Sequence, residues 1–287
     1  THRQSSAASD VYKRQGEGKL NYPVFEGNDV TTFDSLHLRA MYNNSWVHSN
    51  SGQRARATMI RDQWARSTMI DMGNLDGGHG HYAHVYINGL YWGLYNLHER
   101  LENDHYAAHN GYEDDEVLGR NPGSATSEEN ASYNQMIGVV TNNSSTWSQI
   151  KAVIDVENYV DFVITEYFGR NADLKNNDNW RCAGGGTANA PWRFYCWDTE
   201  RIFESETNTS PPSNSGQFDG ARIFDDLRDY REFRVLFADR AYKHLFNNGA
   251  LNNLTSRARF ENFATLIDTA IIGESARWGD DRGTTYT

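Results

Sequence analysis

Hydrophobic and polar residues alternate in two parts of the N-terminal half, and this alternation predicts β-strands. The first is the short segment Phe33–Arg39. Further on, Tyr82–Ile87 and Leu90–Leu97 flank the pair Asn88-Gly89. This pair favours a two-residue type I′ turn, because both central residues of that turn need a positive φ. The pattern therefore predicts one strand followed by a β-hairpin.

Apolar residues recur at helical spacing in several later segments. The predicted helices are Arg56–Met72, Asp104–His109, Glu128–Val140, Val156–Phe168, Ala221–Phe246 with a break, and Thr255–Ser275. Trp180–Cys182 and Trp192–Trp197 predict a second hairpin, and the Ser-, Asn- and Pro-rich residues 204–220 predict a surface loop. The order, strand-rich first and helix-rich last, indicates an α+β fold with two lobes.

Composition narrows the class of protein. A chain of 287 residues suits one large domain or two lobes. Its net charge of −11 argues against non-specific nucleic-acid binding, which depends on Lys and Arg neutralising phosphates. No run of apolar residues is long enough for a membrane span. Residues 1–15 are polar, lack periodicity and resemble a translated adaptor, so we expect a non-native or disordered tail before an incomplete domain over residues 16–287.

The two cysteines, Cys182 and Cys196, flank a glycine-rich turn. Two strands folded about the midpoint would place them opposite each other, where a disulfide is geometrically feasible. Two reduced cysteines on neighbouring strands are the equally open alternative. The pair leans toward an exported protein without establishing it.

The candidate chemistry lies between Asn171 and Glu200. A loop rich in acids and amides precedes the second predicted hairpin, and Asp198 and Glu200 follow it. Magnesium prefers such hard oxygen ligands. Asp198 follows an aromatic strand and is expected at the edge of the core, where acids are usually paired or metal-bound. Glu200 can share its metal if the strand continues; the alternative is an ion pair with Arg193 or Arg201.

Three histidines follow each other closely before the first hairpin turn. In an extended strand His79 and His81 lie on one side and His84 on the other. This spacing does not place three ligands on one face, so it does not predict a zinc site by itself.

Five segments in order resemble the CotH kinase family, named for the spore coat protein H kinase. They are Lys19–Phe25, Phe33–Leu36, Asn88–Arg100, the loop at Asp173 with Trp197-Asp198, and Glu274–Asp280. The resemblance implies an atypical protein-kinase-like fold with two lobes. It also implies a secreted protein, located outside the cell or on a cell or spore surface.

Residue roles follow from the resemblance. Asp173 matches the catalytic Asp that orients the acceptor hydroxyl, and Asp198 matches the metal-binding Asp. This chain carries one extra residue before Trp180, so alignment from Asp173 places Asp178 at the metal-binding amide position. Alignment from Trp180 places Asn179 there, which we favour, with Asn177 as the second choice.

The nucleotide side of the site follows from the same resemblance. Glu99 and Arg100 match a Glu-Arg pair on the cofactor side of the site, whose Glu orients the phosphate-binding lysine or binds metal. A surface ion pair is the structural alternative. The phosphate-binding lysine is expected on an earlier strand. Lys19 matches a non-catalytic position, so we expect that lysine to be missing from this chain.

The sequence thus predicts a monomeric, ATP-dependent protein kinase that uses Mg²⁺ or Mn²⁺. Its partners would be the nucleotide and a protein substrate, phosphorylated on Ser or Thr outside the cell. The first alternative is a non-catalytic surface or adhesion protein on the same scaffold. The second is a metal-dependent hydrolase that uses the same carboxylates.

Overall fold

A computed structural model of the chain describes residues 18–171, 173, 174, 179–204, 220–279 and 281. The strands are β1 (Leu20–Asn21), β2 (Thr32–Phe33), β3 (Leu36–Arg39), β4 (Gly80–Ile87), β5 (Leu90–Glu99), β6 (Leu118–Arg120), β7 (Trp180–Gly185) and β8 (Ala190–Cys196). The helices are α1 (Ser51–Arg54), α2 (Arg61–Asp71), α3 (Asn103–Asn110), α4 (Ser127–Val140), α5 (Trp147–Val153), α6 (Val156–Gly169), α7 (Ala221–Leu227), α8 (Arg231–Leu245), α9 (Asn253–Asp268) and α10 (Ile271–Trp278).

The strands form three antiparallel sheets. The strands β1 and β2 pair as a small ribbon, while the larger sheets have the orders β3-β5-β4 and β6-β7-β8. The fold is therefore a mixed α/β arrangement with a strand-rich N-terminal part and a helical C-terminal part. None of the helices in the described residues combines the length and apolar content that a membrane crossing needs.

The largest hydrophobic core among the described residues surrounds α6, which is buried around most of its circumference. Asp155 caps its first turn by accepting a hydrogen bond from the Asn158 amide at 3.0 Å. Phe162 and Val163 then pack against α2 and the sheet of β7 and β8. This packing fixes the end of α6, and so the loop that begins at Asn171, against the second sheet.

The first hairpin matches the sequence pattern. Asn88 and Gly89 have φ values of 51° and 81°, as a type I′ turn requires. The register shifts by one residue between Val85 and Tyr86, where a bulge accommodates the ten-residue strand β5. This hairpin confirms the most specific local prediction from the sequence.

Three predicted elements have different limits from those expected. The strand at Phe33–Arg39 is divided between β2 and β3, and Thr255–Ser275 is divided between α9 and α10. The helix predicted from Arg56 begins at Arg61, because Met59 takes a φ of 59° and Thr58 donates to the Asn44 side chain. Residues 204–220 fall mostly outside the described residues.

The prediction that the cysteines lie opposite each other is wrong. Cys182 pairs with Phe194, and Cys196 pairs with Trp180, so the two are offset by two positions. The cause is the turn, which closes between Gly185 and Ala190 with a register shift rather than at the midpoint. Both cysteines are buried and neither forms a disulfide, in keeping with the reduced alternative.

Candidate active site

Asp198 lies just beyond β8, where the chain turns sharply out of the sheet. Its φ and ψ of 59° and 37° are left-handed, and a short 3-10 turn, Thr199–Arg201, follows it. Asp tolerates this conformation better than most residues. The turn exposes 28% of the Asp198 side chain while it buries Glu200, whose side chain is 1% exposed.

Both acids converge on one guanidinium group, that of Arg39 at the end of β3. Arg39 Nη2 contacts Asp198 Oδ1, and Arg39 Nε donates to Glu200 Oε1 at 2.7 Å. The second oxygen of Glu200 accepts the backbone N–H of Asn43 at 2.9 Å. The sequence had offered Arg193 or Arg201 as partners of Asp198, and the structure corrects this to Arg39.

A third acid, Asp62 in the first turn of α2, supports this cluster. Asp62 Oδ1 accepts hydrogen bonds from the Thr199 backbone N–H and hydroxyl at 2.9 and 2.8 Å. Its other oxygen accepts from Arg66 Nη1 at 2.5 Å and lies 3.8 Å from Arg39 Nε. Helix α2 therefore holds the turn after Asp198 in place.

Burial and the neighbouring charges each shift the pKa values of Arg39 and Glu200, and their effects partly oppose each other. Burial alone would lower the pKa of Arg39, but Asp198, Glu200 and Asp62 together raise it. Burial raises the pKa of Glu200 to about 7, since the opposing effect of Arg39 is itself offset by Asp198 and Asp62. Glu200 is therefore an internal partner of Arg39, and Asp198 is the acid with an accessible oxygen.

Asp173 and Asn179 lie on the loop between α6 and β7. Asn179 Nδ2 donates to the backbone carbonyl of Asp173 at 3.1 Å, which joins the two ends of the loop. Asp173 Oδ1 lies 3.8 Å from Nη1 of Arg201, which belongs to the turn after Asp198. The structure thus connects the Asp173 side and the Asp198 side. Asn177 and Asp178 lie outside the described residues.

The donor set suits the divalent cation that the resemblance implies. Asp198 offers a partly exposed carboxylate, and Asn179 offers an amide oxygen because its nitrogen is already used. Both are hard oxygen ligands of the kind that Mg²⁺ and Mn²⁺ take. Asp198 and Asn179 are the residues that would hold such an ion.

Glu99, the last residue of β5, has a different environment from Asp198. Its carboxylate contacts three histidines: His79 Nδ1 at 3.1 Å, His109 Nε2 at 2.8 Å and His105 Nδ1 at 3.5 Å. Burial would raise the pKa of Glu99, but His105 and the hydrogen bonds from all three histidines lower it. The neighbouring Arg100 pairs with Glu102 at 2.7 Å.

Sequence reasoning missed two groups in this region. Arg39 was visible only as the last polar residue of an alternating segment, and nothing local links it to Asp198, 159 positions away. The histidines were examined as one strand, whereas His79 meets His109 of α3 instead of His81 or His84. Lys19, which the resemblance matched to a non-catalytic position, pairs at the surface with Asp34 and Asp114.

A comparison with models of known protein families gives a match over nearly the whole chain. A family model described as CotH kinase protein matches residues 10–285. No curated protein matches the sequence.

Proposed function

Because the chain belongs to the CotH kinase family, we propose that it is an ATP-dependent protein kinase with Asp198 as its metal-binding acid. The strand-rich part and the helical part would be the two lobes. The main support for this proposal is that the Asp198 carboxylate is partly exposed and paired with Arg39, whereas Glu200 is buried. The ion pair with Arg39 thus holds the Asp198 carboxylate in a position that is partly open to solvent.

Asp198 and Asn179 would hold Mg²⁺ or Mn²⁺, with Asn177 as a further ligand. The bound ion supplies charge neutralisation for the nucleotide phosphates. Arg39 is a positioning residue in this proposal: it fixes the Asp198 carboxylate and offsets the charges of Glu200 and Asp62. The side chain of Asp198 therefore needs little reorganisation when it meets a cation.

Asp173 would accept the hydrogen bond of the acceptor hydroxyl and so orient it toward the γ-phosphoryl group. Its side chain is 18% exposed, and its backbone is held by Asn171 and Asn179. The acceptor would be a Ser or Thr of an extracellular or surface protein, as the resemblance implies. Positioning by a fixed loop is the main contribution that such a residue makes.

Glu99 and Arg100 would support the nucleotide side of the site without touching phosphate. Glu99 joins the end of β5 to His105 and His109 of α3. It therefore fixes the segment where the chain leaves the first sheet for α3. Removing it would loosen this edge of the site without deleting a ligand of the cation at Asp198.

The test is the substitution Asp198→Asn, which keeps the shape of the side chain and removes its charge. We expect transfer of radiolabelled phosphate from ATP to a Ser-rich acceptor peptide to fall by at least about 100-fold, because one metal ligand is weakened. The stabilisation of the folded chain by ATP with Mn²⁺, measured as a shift in Tm, should disappear as well.

The matched control is Asp268→Asn, at the exposed end of α9. It makes the same chemical change far from the site and should keep both signals. Undiminished transfer in the Asp198→Asn variant would contradict the assignment.

One observation favours the non-catalytic alternative, a surface or adhesion protein on the same scaffold. The Asp198 carboxylate already has a cationic partner in Arg39, so its charge is partly offset without a metal. Absence of any Tm shift with ATP and Mn²⁺ in the unmodified chain would support this alternative. Release of inorganic phosphate without labelled acceptor would instead indicate a hydrolase.

A further inference from the structure

A second cluster of metal-ligand side chains lies apart from Asp198, and we call it the histidine site. It comprises His79, Glu99 and His109, whose nearest ligand atoms all lie within 4.8 Å of one another. His79 precedes β4, Glu99 ends β5, and His109 is in the last turn of α3. Three separate elements therefore bring two imidazoles and one carboxylate together.

The three side chains are arranged around the Glu99 carboxylate. His79 Nδ1 faces one oxygen at 3.1 Å, and His109 Nε2 faces the other at 2.8 Å. The two imidazole rings are parallel, with an interplanar angle of 1° and centroids 6.2 Å apart. Each ring thus presents one nitrogen to the same small volume, from opposite sides.

We propose that His79, Glu99 and His109 bind one Zn²⁺ ion. Two nitrogen ligands with one carboxylate form a common zinc donor set, and ligands about 2.0–2.2 Å from a tetrahedral ion lie roughly 3.3 Å apart. The nitrogen–oxygen separations at Glu99, 3.1 and 2.8 Å, are shorter than that spacing, and all the ligand atoms lie within 4.8 Å of one another. Small side-chain movements would therefore open the coordination space.

Neighbouring groups hold the Glu99 carboxylate in position. Asn28 Nδ2 donates to Oε1 at 2.8 Å, and the backbone N–H of His79 donates to Oε2 at 2.8 Å. His105 contacts Glu99 from the side, and its other ring nitrogen contacts the Asp76 carbonyl at 2.9 Å. Such outer hydrogen bonds orient the ligands of zinc sites.

The histidine site also has an opening to solvent. A cavity of about 400 Å³ is lined by both His79 and His109, together with the loop Gly27–Thr32. Three protein ligands with one side facing a cavity leave room for a water molecule or another small ligand on the ion. The cavity is an independent observation: it gives an ion a route from solvent to His79 and His109.

The histidine site differs from the Asp198 site in place and in chemistry. Glu99 lies in the histidine site, and in the β3-β5 ladder it pairs with Leu36. Arg39, which contacts Asp198, pairs with Asn96, three residues before Glu99 on β5. Three residues along a strand, here from Asn96 to Glu99, span about 10 Å. Imidazole ligands favour Zn²⁺ over Mg²⁺, whereas Asp198 and Asn179 offer only oxygens. The two sites can therefore be tested separately.

The experiment measures Zn²⁺ binding by the full chain after removal of metals with a chelator. We expect one equivalent of Zn²⁺ per chain by equilibrium dialysis and elemental analysis, even with a large excess of Mg²⁺. The variant His109→Gln keeps a donor to Glu99 but removes the imidazole, and it should weaken Zn²⁺ binding by at least about 100-fold. Substituting Co²⁺ should give the intense visible absorption of a four-coordinate ion, absent in the variant.

Two controls decide the assignment. His84→Gln removes an exposed histidine of β4 outside the cluster and should bind Zn²⁺ as the unmodified chain does. Asp198→Asn should also bind it normally, so a failure of the kinase proposal leaves this result unchanged. Failure of the unmodified chain to retain Zn²⁺, or equal losses in the His84→Gln and His109→Gln variants, would overturn the proposal. Loss of binding in Asp198→Asn would overturn it too, by moving the ion to the other site.

Discussion

Glu166 is a carboxylic acid buried inside α6, on the side that faces the candidate site. Its Oε2 accepts a hydrogen bond from Asn171 Nδ2 at 2.8 Å, where the Asp173 loop begins. Burial raises the pKa of Glu166 from 4.5 to about 7, although the hydrogen bonds from Asn171 and Cys196 lower it. Burial also raises the pKa of the Cys196 thiol, and the charge of Glu166 adds to that effect. Both side chains are thus favoured in their neutral forms.

This raised pKa predicts a pH-dependent stability. Between pH 4.5 and 7 the unfolded chain releases the Glu166 proton while the folded chain keeps it. The free energy of unfolding therefore falls as the pH rises through this window and levels off above it. Glu166→Gln should reduce this fall, leaving the contribution of Glu200, and stabilise the chain at pH 8 by about 3 kcal/mol, measured by urea unfolding at several pH values.

The comparison variant is Glu157→Gln, on the exposed side of the same helix. It should keep the pH slope of the unmodified chain. A pH slope in Glu166→Gln equal to that of the unmodified chain would mean that Glu166 does not contribute to it.

At the scale of one element, the β4-β5 hairpin depends on backbone conformation more than on contacts. Gly89 has a φ of 81°, and a Cβ placed there would meet no atom within 4 Å. Gly138 in α4 also has open space around it, but it lies within a regular helix. The two glycines are therefore a matched pair that differs in φ.

Alanine substitution should affect these two positions in opposite directions. Gly89→Ala should lower the free energy of unfolding by about 1–2 kcal/mol, because a side chain disfavours the left-handed region. Gly138→Ala should raise it by about 0.5–1 kcal/mol through helix propensity. Thermal unfolding of both variants checks this, and equal effects at both positions would contradict it.

At the scale of the whole molecule, the last helix closes back onto the first large sheet. Glu274 Oε2 accepts the backbone N–H of Leu94 at 2.6 Å, and Trp278 Nε1 donates to the Trp92 carbonyl at 2.7 Å. Gly93 makes this approach feasible, since a Cβ there would lie 2.9 Å from Glu274 Oε2. Arg277 lies 4.1 Å from the centre of the Trp278 ring, a cation–π contact within the same segment.

Removing Glu274 should therefore detach the C-terminal helix from the sheet. Glu274→Ala leaves the buried Leu94 amide without its acceptor, which should cost about 1–3 kcal/mol. We expect faster amide hydrogen exchange in α10 and in the middle of β5. Glu26→Ala, in an exposed loop, is the control and should change neither. Unchanged exchange in α10 would show that packing alone holds it.

Local chemistry made much of the fold predictable. The Asn88-Gly89 turn, the α3 helix ending at Gly111 and the periodicity of α6 are each specified by neighbouring residues. Helix boundaries were less predictable where side chains distant in sequence form hydrogen bonds. The Asn44 side chain accepts a hydrogen bond from the Thr58 backbone N–H, and α2 begins only at Arg61. Short strand β6 carries too few residues for a visible pattern, and it forms because β7 offers a free edge.

The candidate site separates what the sequence determined from what the tertiary structure decided. The sequence by itself determined the turn residues, the helix periods and the CotH kinase resemblance that marked Asp173, Asn179 and Asp198. Only the tertiary structure decided that Arg39 pairs with both Asp198 and Glu200, and that His79 and His109 meet at Glu99. The physical reason is the sequence separation of the interacting residues. Turns and helices depend on residues a few positions apart. The partners of a buried charge are set by which strands and helices pack together.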